Sequence, residues 1–276
     1  MPLFASVSTI SGNWSDSGIW DEGTVPSGGN ISIGANTAVT IDNAVDSVNA
    51  IFVNSNASII FKKDASIACN LLQFNGAGSR LIFLGNSYVT SGNITQGGDY
   101  GDYVFGGKDE LGEFKAAVAK SINSTARLQM KSGTSATYNV SLSNLITQKS
   151  SGLDDNAIIY TTGELQQMQG EFVLDFSNIL FQEILDSGIE SGTYYVALVS
   201  FGITYKTLGS SEFAPVLSDD SVFGDFISFE GFEWANDLKN NNTLYAVLNV
   251  SVPEPSTYAA IFGALAIAFV VFRRRR

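Results

Sequence analysis

The 276-residue chain contains no histidine. That removes the side chain that most often serves as general base near neutral pH, the Ser-His and Cys-His nucleophile pairs, and most zinc and iron sites. There is one cysteine, so no internal disulfide can form. Cys69 lies in "ASIACNLLQF" between apolar residues, where a small buried core residue is expected rather than a reactive thiol. Charged residues make up 15% of the chain, below the usual quarter. Basic residues are scarcest: fifteen against twenty-seven acidic ones, for a net charge of −12, with four of the fifteen packed into the last four positions. Phosphate binding needs a basic surface, so the composition argues against a nucleic-acid partner and for an acidic, solvated exterior.

What is present is apolar and turn-forming. Hydrophobic residues are 45% of the chain, with 19 phenylalanines and 27 glycines. Three stretches align: "ISIGANTAVTI" (31–41), "IFVNSNASIIF" (51–61) and "LQFNGAGSRLIF" (72–83). Each is a short strand, a small polar turn and another strand. Ile31 to Ile51 is a step of twenty residues, Ile51 to Leu72 of twenty-one, and Ile67 and Val89 add a further matching pair. Periods near twenty mark solenoids. The self-match favours a right-handed parallel β-helix-like solenoid over an antiparallel sandwich with regular turns. Ile33, Ile41, Val53, Phe61, Phe74 and Phe83 are then the inward residues of successive rungs. Asn54 and Asn75 take matching corner positions and can stack as a ladder.

The chain divides into 1–12, a remnant of an export signal or a disordered start; 13–94, the solenoid with a tryptophan cap; 95–125, a Gly/Asp loop and linking helix; 126–251, a second β-rich region; and 252–276, a terminal signal with a membrane segment. Trp14 and Trp20 are expected to cover the solenoid's first end or, alternatively, to stack on sugars. Asp99, Asp102, Asp109 and Glu110 could offer oxygen ligands to calcium, but their spacing matches no EF-hand and a solvated loop is expected. Leu111, Phe114, Val118 and Ile122 fall at helical spacing and predict a short amphipathic helix. From Arg127 the alternation returns to period two, for a sandwich or an irregular solenoid packed end-on against the first half. The overall class is all-β.

The C-terminus reads "VPEPSTYAAIFGALAIAFVVFRRRR". Its apolar run, Tyr258 to Phe272, would form roughly 22 Å of helix against a hydrocarbon core of about 30 Å, a short span that snorkelling arginines extend. Arg273, Arg274, Arg275 and Arg276 act as a stop-transfer cluster and keep to the cytoplasmic side. Val252, Pro253, Glu254, Pro255 and Ser256 precede the run; the prolines block helix upstream and Ser256 is placed to cap it.

In motif, order and position these last 25 or so residues resemble the PEP-CTERM sorting signal of bacterial exported proteins. The resemblance implies recognition by an exosortase, a membrane-embedded cysteine protease-transpeptidase. It also implies transient anchoring in the inner membrane, removal of the tail, and delivery to the cell surface or extracellular matrix, often alongside exopolysaccharide. Similarly, "GNWSDSGIWDEGTVPSGGN" resembles the opening of many bacterial surface β-helix proteins. An exported chain needs an N-terminal signal, and "MPLFASVSTISG" has no positive region and a stub of apolar residues, so the true start is expected upstream.

The expected function is therefore non-enzymatic: a structural or adhesive surface protein without cofactor or metal. An enzyme on a β-helix, a polysaccharide lyase or glycoside hydrolase, would need a groove lined by two carboxylates near Lys62, Lys63 or Arg80. A carbohydrate-binding module would need Trp20, Trp234 or Tyr100 on one flat face.

Overall fold

The computed structural model describes residues 6–98, 100–131, 133–168, 170–179, 181–205, 216–217, 227–236 and 240–252. The chain opens with β1 (Ser6–Val7), β2 (Gly12–Asn13) and a 3-10 turn at Ser17–Ile19. Strands then follow in pairs: β3 (Asn30–Ile33) and β4 (Ala38–Ile41), β5 (Val48–Val53) and β6 (Ser58–Phe61), β7 (Ser66–Phe74) and β8 (Arg80–Phe83), β9 (Tyr88–Gln96) and β10 (Asp102–Phe105). A small hairpin, β11 (Gly107–Lys108) and β12 (Phe114–Lys115), interrupts the series. It resumes with β13 (Ile122–Met130) and β14 (Ser135–Asn139), then β15 (Ile159–Met168) and β16 (Glu171–Asp175). Helix α1 (Phe181–Asp186) precedes β17 (Gly192–Tyr205) and β18 (Val216–Leu217), and β19 (Ile227–Trp234) and β20 (Asn240–Val250) complete the set.

Two long sheets result. The first has the order β1-β3-β5-β7-β9-β13-β15-β17-β20-β19 and the second β18-β16-β14-β10-β8-β6-β4-β2. Each circuit of the chain adds one strand to each sheet, and pairing is parallel up to β17 and throughout the second sheet. This is consistent with a solenoid: a parallel neighbour can be reached only by a crossover, and here each crossover contributes a strand to the other sheet. The registers are those of the sequence repeat. Ile31 pairs with Ile51 and Ile51 with Leu72. Ile41 pairs with Phe61 and Phe61 with Phe83.

Side chains alternate between buried and half-exposed along β3, β4, β6 and β10, as a strand with one face on a core requires. Ile33, Ile41, Val53, Phe61, Phe74 and Phe83 are all fully buried. On the inner face of the second sheet the rings of Phe61, Phe83, Phe105, Tyr138 and Phe172 stack in sequence, with centroids 4.8, 5.5, 5.0 and 6.2 Å apart.

The asparagine ladder lies in columns other than the one anticipated. Asn54 Nδ2 donates instead to Ser32 Oγ and to the Ile33 carbonyl. The side-chain ladders run from Asn70 to Asn49 to Asn30 and from Asn56 to Asn36. Asn36 and Asn56 have φ of 60° and 54° and stand above one another at the turn, where Gly78 continues the column at 71°. The left-handed backbone selects Asn or Gly there, and the amide side chains then align.

Two expectations are corrected. The segment 111–122 is not a helix. Gly112 has φ +77°, Phe114 and Lys115 form β12, and Ile122 begins β13. Leu111, the first residue of the supposed apolar face, is 84% exposed. Nor does the stretch after Arg127 form a unit packed end-on: its strands extend the same two sheets, the irregular-solenoid alternative.

At the first end Trp14 and Trp20 meet edge to face at 5.0 Å, and Trp20 Nε1 donates to the Trp14 carbonyl. At the far end β20 reverses direction on β17, and β19 adds antiparallel to it.

Candidate functional site

Three residues occupy one column immediately after the inward Ile41, Phe61 and Phe83: Asp42, Lys62 and Leu84. Lys62 and Leu84 are fixed by backbone bonds to the rung before, from the amide of Lys62 to the Ile41 carbonyl and from that of Leu84 to Phe61, both 2.9 Å. Together with Thr40 and Ile60, which face outward from β4 and β6, they form the floor of a groove of about 500 Å³ on the outer side of the second sheet.

The β11–β12 hairpin forms the opposite wall with Lys108, Asp109, Glu110, Leu111 and Lys115. It leaves β10 at Gly106, φ +79°, whose carbonyl accepts from Asn139 Nδ2. Its turn is organised by Asp109: Oδ1 accepts from the amides of Leu111 and Glu113, both at 2.9 Å. The tip is tied to the sheet by Lys62 Nζ and Glu110 Oε1 at 2.9 Å. An exposed pair of this kind contributes about 0–1 kcal/mol, so the tie is readily exchanged for a ligand.

Four lysines thus converge in a protein poor in cations: Lys62, Lys63, Lys108 and Lys115. Lys115 pairs with Asp109 and Glu113. Its hydrogen bond to Glu113, opposed by burial and reinforced by both carboxylate charges, holds its pKa above the usual lysine value. Burial works to raise the Asp109 pKa, but the amide donations from Glu113 and Leu111 and the Lys115 charge outweigh it and hold the carboxyl below 3.8. Both shifts lock the charged forms. Both groups are thus held in the form that makes ionic contacts.

The sequence had singled out Lys62, Lys63, Asp109 and Glu110, and the fold brings these four together. Arg80 is exposed on β8 and does not line the groove. Lys108, Lys115 and Asp42 had not been singled out. Asp42 was legible, since it heads the column that the repeat alignment defines; the hairpin lysines were not, because a helix was expected there.

The other flagged residues are dispersed. Asp99 lies outside the described residues. Asp102 accepts from the amide and hydroxyl of Ser135. No group of three or more potential metal ligands is assembled among the described residues. Asp154 is buried and accepts from Tyr245 Oη, while the adjacent Asp155 pairs with Lys120 at 2.8 Å. Trp14 and Trp20 are 2% and 3% exposed and so present no ring face to a sugar. Tyr100 and Trp234 are half-buried, on the β9–β10 turn and on β19, and share no flat face with Trp20. Cys69 is buried, and burial, partly offset by its bond to Ser91, pushes its thiol up to about 11.

Of the sorting motif, Val252 is described: its amide and carbonyl both meet the Ser191 hydroxyl, which ties the last described residue to the start of β17. Pro253, Glu254, Pro255, Ser256, the run from Tyr258 to Phe272 and Arg273 to Arg276 lie outside the described residues. No helix among the described residues is long and apolar enough to cross a membrane.

Comparison with known families and proteins bears on this terminus. No curated protein and no solved structure matches the chain. Residues 251–276 match the family model of the PEP-CTERM protein-sorting motif, and that motif implies an exported protein, processed by an exosortase and sorted to the cell surface.

Proposed function

We propose that the chain is a structural or adhesive protein of the bacterial cell surface or extracellular matrix, and that it acts without catalysing a reaction. Its body is a right-handed parallel β-helix-type solenoid, and its C-terminal segment is a transient inner-membrane anchor that an exosortase removes. The observation that carries this reading is the sorting motif at 251–276, attached to a body of two long, mainly parallel sheets. Stacked rungs give a stiff module that projects polar side chains outward at regular spacing, which suits a scaffold or an adhesive surface. Exopolysaccharide or another surface polymer is the expected partner outside the cell.

Asp109 and Lys115 are held charged in the groove, which supports a binding role there. Intact mass and terminal peptide mapping of the mature protein from its host's surface fraction test the reading. The expected product lacks the segment from around Pro253 and lies outside the cell. Recovery of chains ending at Arg276 from the membrane fraction would instead describe a permanently tail-anchored protein and overturn it.

A further inference from the structure

The geometry points to the groove between the second sheet and the β11–β12 hairpin as a binding site for an acidic saccharide, a chain of sugar units bearing carboxylates. It rests on the surface reading in one respect: such a polymer outside the cell is met by an exported chain.

Three observations carry it. First, the charges are unevenly committed. Lys62 is paired with Glu110 and Lys115 with Asp109 and Glu113, whereas Lys63 and Lys108 have no ionic partner among the described residues. Two free ammonium groups therefore border one groove in a protein of net charge −12. Lys63 is also positioned. Gly85 has φ +65°, and a Cβ there would stand 2.9 Å from Lys63 Cγ, so the glycine leaves room for the lysine stem to lie against the chain.

Second, Asp42, Asp109 and Glu110 stand among the lysines. A polyphosphate or nucleic acid, with a charge at every unit, would meet these carboxylates as repulsion. A uronate chain has one carboxylate per sugar and several hydroxyls, so it can pair with ammonium groups and donate to the carboxylates between them.

Third, part of the floor is apolar, between the charges of Asp42 and Lys62. Ile60 and Leu84 lie beneath, and Leu111 overhangs from the hairpin tip. Sugar rings present C–H faces that pack on such a surface. Asp42 also lines a second depression of about 400 Å³ beside Trp14, Pro26 and Val45. Two depressions that share a wall suit an extended polymer better than a compact ligand.

The test is fluorescence polarisation of a labelled oligogalacturonate with the purified full chain in mild detergent. Unlabelled oligodextran and oligoglutamate serve as competitors. Binding is expected, weakened by salt as ionic contacts are screened. Replacing both free cations, Lys63→Glu with Lys108→Glu, should weaken it about tenfold or more, the scale of losing and reversing two charge contacts. Arg80→Glu with Arg127→Glu makes the same change in net charge away from the groove and should leave affinity within about twofold. Glu110→Gln removes a negative charge and releases Lys62, so it should tighten binding a few-fold, a gain that a misfolded variant could not produce.

Absence of binding, an unchanged Lys63/Lys108 variant, or equal competition by oligodextran would overturn the proposal. Equal competition by oligoglutamate would reassign the groove to acidic peptides. Terminal mapping reads the chain's location and polarisation reads its ligand, so either reading can fail while the other stands.

Discussion

Tyr138 sits in the aromatic column of the second sheet and Tyr103 beside it against Phe105, both with buried hydroxyls that have no hydrogen-bond partner among the described residues. Burial raises both phenol pKa values far above the ordinary tyrosine value, and the charge of Asp102 adds to the effect at Tyr103, so both stay neutral. A buried hydroxyl without a partner loses its hydration and gains nothing in return. Tyr138→Phe and Tyr103→Phe are therefore expected to be neutral or to stabilise by up to about 1 kcal/mol in urea unfolding. By contrast, Phe83→Ala removes the ring between Phe61 and Phe105 and should cost about 3–5 kcal/mol. A large loss from either tyrosine variant would mean that its hydroxyl does have a partner. Cys69 gives a second test at this scale. A neutral, buried thiol is a poor nucleophile, so native protein should resist iodoacetamide at pH 8 and react fully once unfolded in urea.

At the scale of single elements, the three circuits from β3 to β8 were legible and the hairpin was not. Ile31, Ile51 and Leu72 align in the sequence because they pair in the fold, with turns short enough to keep the period near twenty. Later the registers persist while the period drifts. Val89 pairs with Ile122, Ile122 with Ile159 and Ile159 with Val199, so the insertions at the turns lengthen each circuit and hide the repeat. The misread segment has a different cause. Leu111, Phe114, Val118 and Ile122 match helical spacing, but Asp109 draws the Leu111 and Glu113 amides into a turn and Gly112 takes a positive φ. Local side-chain acceptors won over a weak apolar period. The groove followed the same division: Lys62 and Lys63 lie on the legible repeat, whereas Asp109 and Glu110 drew notice as acidic residues without the hairpin that places them.

That turn should respond to acid. Because the folded pKa of Asp109 is depressed, its contribution is present above the unfolded value of 3.8 and is lost as pH falls through the lower folded value. The amide resonances of Leu111 and Glu113 should shift together with a midpoint below 3.8, and Asp109→Asn should abolish the transition. A midpoint above 3.8 would mean that burial, not hydrogen bonding, governs this carboxyl.

At the scale of the molecule, two sheets that grow strand by strand have two ends, and each circuit rests on its neighbours. The first end is closed by short strands, with β1 and β2 of two residues each, and by the Trp14–Trp20 pair. At the other end β17, at fourteen residues the longest strand among the described residues, is covered by antiparallel β20, and Phe201 meets Trp234 of β19 at 5.9 Å. Opening of an interior circuit must break contacts on two sides, while an end circuit breaks them on one. Amide hydrogen exchange should therefore be slowest in β7 to β10 and faster toward β1 and β2. Trp20→Ala should extend the fast region into β3 and β4, since the Trp14–Trp20 pair at that end is broken, yet leave β13 to β16 unchanged. Equal acceleration along the whole chain would show that the stack opens as one cooperative unit, with end closure governing every circuit alike.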